Sequence, residues 1–136
     1  MESLTDVIID TVALVHHLAD SLPEKAARLF SSAENGHSTL LLPEVALGEF
    51  LYLALKGKLG FARPRALIDE VVAVIRGSGY IQTCGLDGRA WQIFLDLPIS
   101  ELHDRMIAST ALARDLSLVS NDSVFAKVPS LDTIWA

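Results

Sequence analysis

The chain is short of the features that most quickly assign a protein. Its single cysteine, Cys84, excludes an internal disulfide, and the cytoplasm is the expected compartment. No apolar run approaches the roughly 18–20 residues that a bilayer crossing needs, so no membrane span is expected. The opening "MESLTDVIID" lacks a basic region followed by a long apolar stretch, which speaks against a signal peptide. Glycine-rich phosphate loops, a nucleophile elbow and paired CxxC motifs are missing. So are internal repeats, low-complexity tracts and linkers. Charged residues are only 21% of the chain against 51% apolar ones, which excludes a disordered polymer. The net charge of −6 argues against binding nucleic acid by bulk phosphate neutralisation. A site that gathers carboxylates around cations would nonetheless add negative charge to a phosphate-binding protein.

What is present fits one domain, residues 1–136, long enough to bury a single core. Short apolar runs alternate with helical stretches. "DVIID" (6–10) predicts a buried strand and "TVALVHHLAD" (11–20) a helix. A second helix is expected over 23–33 with Pro23 at its first position. "STLLL" (38–42) predicts a strand, after which Pro43 opens a helix; Pro64 begins another over 64–76. A strand at 79–84, a short helix at 87–97 and a long one at 100–116 follow, with "SLVS" and "LDTIW" as the last strands. Strands that are apolar throughout and separated by helices predict an α/β fold with a mostly parallel sheet covered on both faces.

Four carboxylates stand out within this pattern. Asp10 ends the first strand and precedes a helix, so it is either a helix cap or a ligand-facing residue at a strand's carboxyl end. Asp122 follows "SLVS" in the same manner, with an Asx turn as its plain alternative. Asp104 lies in the first turn of the long late helix, where an acid also suits the macrodipole. Glu49 is the only charge in "VALGEFLYLAL" (45–55), between Val45 and Leu53 on the helical wheel, with Leu47, Leu51 and Leu55 opposite. It is expected to be buried, and a buried carboxylate requires a cation or an internal ion pair. Grouped together, the four would repel unless a cation compensated them. Oxygen-only ligands favour Mg²⁺ or Mn²⁺, ions that polarise phosphoryl oxygens and activate water. A metal-dependent phosphodiester hydrolase is the chemistry that follows.

The series "IIDT", "LGEFLY", "HDRMIASTAL" and "LVSNDSVF", at these separations, resembles the PIN-domain ribonucleases, especially the VapC-type toxins of toxin–antitoxin pairs. The likeness runs from Asp6 to the final strand. It implies a three-layer α/β/α sandwich and cleavage of single-stranded RNA with Mg²⁺ or Mn²⁺. It implies a metal site of Asp10, Glu49, Asp104 and Asp122, with Thr11 and Ser120 orienting it through their hydroxyls. It also implies a homodimer and an antitoxin partner. Val12 and Val124 depart from the pattern, standing where many members carry a polar residue and a further acid. The alternative to a nuclease is therefore a catalytically weak or inactive PIN-like binding module.

Basic residues concentrate in "KGKLGFARPR" (56–65), where Lys56, Lys58, Arg63 and Arg65 surround Phe61 without an acid. This stretch is either a solvated inter-helix loop or a contact for RNA or antitoxin, with Phe61 available for base stacking. Arg105 would meet a phosphate or pair with a nearby acid, and His103, as the neighbour of Asp104, would be a candidate to reach substrate. His16 and His17, being adjacent, face different sides of a helix and are expected to be structural or surface residues. Trp91 and Trp135 are expected to fill the core or an interface.

Overall fold

The computed structural model describes residues 6–136; residues 1–5, on which the expected absence of a signal peptide partly rests, lie outside them. β1 (Val7–Ile9) is followed by α1 (Thr11–Leu18) and α2 (Glu24–Glu34), then β2 (Leu40–Pro43), α3 (Glu44–Leu55) and α4 (Pro64–Arg76). β3 (Ile81–Cys84), α5 (Gly88–Phe94), α6 (Leu102–Ala113), β4 (Leu118–Val119), a 3₁₀ turn (Ser123–Lys127) and β5 (Thr133–Ile134) complete the order. The five strands form one sheet in the order β3-β2-β1-β4-β5, and every pairing is parallel. Right-handed crossovers therefore place the helices on both faces, because the connections run outward from β1 in opposite directions.

The strands are short and wholly apolar because both faces are covered: Val7, Ile8 and Ile9 are all buried. Phe30, Phe50 and Phe125 join Leu14, Leu40, Leu42 and Leu118 in the core. Cys84 is also buried, and burial pushes its thiol up, so it behaves as a small apolar side chain.

Several expected boundaries shift for local reasons. Pro43 pairs with Cys84 at the end of β2 and caps α3 rather than opening it; Pro23 likewise precedes α2, while Pro64 is the first residue of α4. α1 ends before residue 20 because Asp20 adopts a left-handed conformation (φ 54°). α6 stops at Ala113, where Asp115 does the same (φ 53°) and the Arg89 guanidinium donates to the Ala113 carbonyl at 3.1 Å.

The strand order fixes where a ligand site would lie. β1 and β4 are neighbours from which the chain departs in opposite directions, and open parallel sheets bind ligands at the carboxyl ends of such a pair. Ile8 pairs with Leu118 and Ile9 with Val119, so Asp10 and Ser120 each stand one residue beyond the last rung.

Candidate active site

Asp10 is held by the backbone that follows it. It caps α1, its Oδ1 accepting from the Ala13 amide at 2.8 Å, and only 5% of it is exposed. Asp122 is likewise a cap, Oδ1 accepting from the Val124 amide at 3.0 Å, while its own amide donates to the Ser120 hydroxyl at 3.1 Å. The two alternatives open for these aspartates are thus not exclusive, because one carboxylate oxygen caps and the other remains for a ligand. Ser120 also hydrogen-bonds the Asp10 carboxylate, so its hydroxyl ties the tips of β1 and β4. Thr11 acts at one remove: its hydroxyl donates to the Ala46 carbonyl at 3.2 Å and fixes α1 against α3, three residues before Glu49.

These elements enclose a cleft of about 240 Å³ lined by Asp10, Thr11, Val12, Glu49, Glu101, Asp104, Ile107 and Asp122. All four expected acids meet there, with a fifth, Glu101, beside them. Glu101 caps α6, accepting from the Asp104 amide at 2.7 Å. Its signal in sequence was the Glu-x-x-Asp spacing ahead of an apolar helix, easily passed over because glutamate is an uncommon cap.

Glu49 differs from its expectation. It is not buried; 37% of its side chain is exposed and its Oε2 lies 3.5 Å from His103 Nδ1. α3 is apolar on every side, so hydrophobic periodicity could not tell which side docks. Ala46, Phe50 and Ala54 face the core, and the arc carrying Glu49 opens to the cleft. His103 Nδ1 also stands 3.5 Å from Glu101 Oε1, bridging the two glutamates at the rim.

The electrostatics record a concentration of negative charge. Burial, then the charges of Asp122 and Glu49, raise Asp10, against hydrogen bonds from Ser120 and Ala13 that lower it. Asp104 is pushed up to about 6, first by burial, then by the charges of Glu101 and Asp122, a hydrogen bond shared with Glu101, and Glu49. Glu101 moves the other way: slight burial works upward, but hydrogen bonds from the Asp104 and His103 amides outweigh it.

Among the described residues, no three His, Cys, Asp or Glu side chains converge into a ready-made ion cage. The acids line the walls of an open cleft instead. The donor set still suits a hard divalent ion: it is all carboxylate, and Mg²⁺ characteristically takes one or two carboxylates and keeps several waters.

Other expected contacts resolve differently. Arg105 is neither free for phosphate nor paired with an acid; its guanidinium donates to the carbonyls of Phe94, Leu95 and Ile99 at 2.6, 2.8 and 3.2 Å. It closes the carboxyl end of α5, a structural role that the isolated "HDR" triplet does not reveal. Phe61 packs against the core rather than standing out for a base. Lys56, Lys58, Arg63 and Arg65 are exposed; Arg65 pairs with Asp69 at 3.1 Å and Lys56 Nζ lies 4.8 Å from the Tyr52 ring centre. His16 and His17 are structural as expected, bonded to the Ser21 and Tyr80 hydroxyls at 2.8 and 3.0 Å. Trp135 packs edge-on to His16, whereas Trp91 is 46% exposed on α5. Val12 lines the cleft and Val124 packs against the core.

The family model described as PIN domain matches residues 7–131, nearly the whole described chain. The chain belongs to the PIN domain family. Solved structures similar to this PIN domain include VapBC complexes and a toxin. VapBC2 from Rickettsia felis, bound to a DNA fragment from its promoter, has a TM-score of 0.72 at 17% identity, covering 98% of this chain and 100% of that one. DNA-bound VapBC from Salmonella typhimurium has a TM-score of 0.68 at 19% identity, covering 96% and 98%. VapC20 from Mycobacterium tuberculosis, described as a sarcin–ricin loop cleaving toxin, has a TM-score of 0.57 at 18% identity, covering 88% and 92%. No curated protein matches the sequence. At these identities the likeness is one of fold.

Proposed function

We propose that this PIN domain is a divalent-metal-dependent endoribonuclease acting on single-stranded RNA, and that it is the toxin of a toxin–antitoxin pair. The observation that carries the reading is the gathering of Asp10, Glu49, Asp104 and Asp122 in one cleft at the carboxyl ends of β1 and β4. Asp10, Asp104 and Asp122 would hold one or two Mg²⁺ or Mn²⁺ ions, which supply Lewis acidity toward a phosphoryl oxygen and an acidified water. Asp10 and Asp122 are pre-set for this by their caps, so little side-chain entropy is lost on binding. Glu49, half-open and steadied by His103, completes the ligand set or orients the attacking water. Ser120 holds Asp10 in register with β4, and Thr11 holds the α1–α3 packing on which the Asp10–Glu49 separation depends.

An antitoxin partner is supported by the toxin–antitoxin complexes among the similar structures, and a homodimer by the exposed apolar side chains Leu55, Leu95 and Leu102. The second reading, a PIN-like binding module with weak or no catalysis, is favoured by Val12 on the cleft wall.

The deciding experiment is incubation of purified protein with a mixed single-stranded RNA pool plus Mn²⁺, beside an EDTA control and Asp10→Asn. Asparagine keeps an oxygen for the Ala13 amide, so the fold is retained while the charge is lost. Cleavage that needs metal and disappears in the variant is the expected result. Full cleavage by Asp10→Asn would sink the site assignment, and absence of both cleavage and Mn²⁺ stabilisation would favour the binding module.

A further inference from the structure

Of the five acids lining the cleft, Glu101 is the one whose presence helix capping alone does not explain. Its Oε2 accepts from the Asp104 amide at 2.7 Å, and the His103 amide also donates to the carboxylate. A carboxylate has about four lone-pair sites, so the two amides leave about half of its acceptor capacity unused. Its contact to an imidazole, Oε1 to His103 Nδ1 at 3.5 Å, lies outside the ~2.7–3.2 Å of a formed N–H···O bond. A cap needs only a short oxygen-bearing side chain, as Asp10, Asp87 and Asp122 show at other helix starts. Glutamate is one methylene longer, and here it lines the cleft.

We propose that Glu101 is the fifth carboxylate of the divalent-ion site, acting beside Asp104 from the start of α6. This rests on the metal-dependent nuclease proposed above and deepens it by giving the ion a further holder.

Three observations carry it. The first is spacing: the Glu101 and Asp104 carboxyls are in hydrogen-bond contact. Adjacent oxygens around an octahedral ion with ~2.1 Å bonds stand about 3 Å apart, so the pair already has the separation that one ion imposes. The second is anchoring. Arg105 donates to the carbonyls of Phe94, Leu95 and Ile99 and lies over the Phe94 ring, which ties the turn before Glu101 to α6. Ile99 is itself buried, so Glu101 stands on a fixed turn and not on a free loop. The third is charge. A cleft that takes a phosphodiester is poorly served by a half-exposed carboxylate at its mouth, because like charges repel. A carboxylate that shares a cation with Asp104 helps to draw the phosphate in.

The test is a Mn²⁺ titration, followed by the electron paramagnetic resonance signal of free Mn²⁺, on the parent chain and two variants. Glu101→Gln keeps an oxygen for the Asp104 amide but loses the charge. Glu101→Asp keeps the charge and a favoured cap, and withdraws the carboxylate by one methylene. Both are expected to weaken Mn²⁺ binding roughly ten-fold or more, the effect of removing a group that supports a bound metal. Their metal-free melting temperatures are expected to stay within ~2 °C of the parent's, because the cap survives. Unchanged Mn²⁺ affinity in Glu101→Gln would show that Glu101 only caps α6, overturning the proposal and leaving the nuclease reading intact. Weakening in Glu101→Gln but not in Glu101→Asp would overturn it too, since charge at a distance would then be sufficient. If the parent binds no Mn²⁺, the metal-dependent reading fails and the part given to Glu101 fails with it.

Discussion

Two histidine–carboxylate clusters stand at different places in this PIN domain, and they behave in opposite ways. At the carboxyl ends of β1 and β4, five acids surround one cleft and His103 touches only the two outer ones. Under the other side of α1, His17 sits against Phe30, bonded to the Tyr80 hydroxyl, with Asp20 and Glu34 lining the cavity beside it. In the first cluster Asp10 and Asp104 resist ionisation. In the second, burial pushes His17 down despite the opposing pull of Glu34, Glu70 and Asp20, so it is a neutral, satisfied packing element. Residue types alone do not separate the two. The neighbours do: His17 is packed on Phe30 and bonded to a neutral hydroxyl, whereas Asp10 and Asp104 face other carboxylates across the cleft.

The contrast is broken most directly by supplying a cation to the cleft. Mn²⁺ at about a hundred times its dissociation constant should stabilise the protein by about 2.7 kcal/mol, and Asp10→Asn should remove most of that gain. A thermal melt with and without Mn²⁺ measures both; an equal shift in the variant would place the ion elsewhere.

The next largest effect is on pH. Asp104 holds its proton up to about 6 when folded against an ordinary 3.8, so the native state binds more protons between those values. Stability without metal must then fall as pH rises through that window, and Asp104→Asn should flatten the fall. Its side chain is only partly buried, so screening limits the effect to about 1 kcal/mol. Urea midpoints at a series of pH values test this, and a rise across the window would contradict the sign.

Glu101→Ala should cost about 1 kcal/mol through loss of the α6 cap, whereas Glu101→Gln, which keeps the acceptor, should cost a few tenths. Equal stability of the two variants would show the cap to be idle. Smallest is the second cluster: Tyr80→Phe should cost about 0.5–1 kcal/mol and leave Mn²⁺ stabilisation untouched, since the His17 bond contributes only to folding. A changed metal response in that variant would link two clusters that here look independent.

Much of this was legible in the order of residues. The apolar strands VII and LLL, each followed by a helix, implied a parallel sheet, because only strands buried on both faces can be apolar throughout. Asp10 and Asp122 could be placed because a residue just past a strand end has one location in such a sheet. Glu49 misled because α3 offers no polar face for contrast; only the docking of Ala46, Phe50 and Ala54 shows which arc is left open. Phe61 and Arg105 misled for the complementary reason, since a loop aromatic and a helix-borne arginine reveal their partners only when the chain comes back to them.

The sequence by itself determined the element order and the sheet type, because these follow from local periodicity, and it singled out Asp10 and Asp122 by their position after strands. The tertiary structure alone decided that Glu101 joins them and that Arg105 closes α5. Those outcomes depend on contacts between segments far apart in the chain, and such contacts leave no period in the sequence.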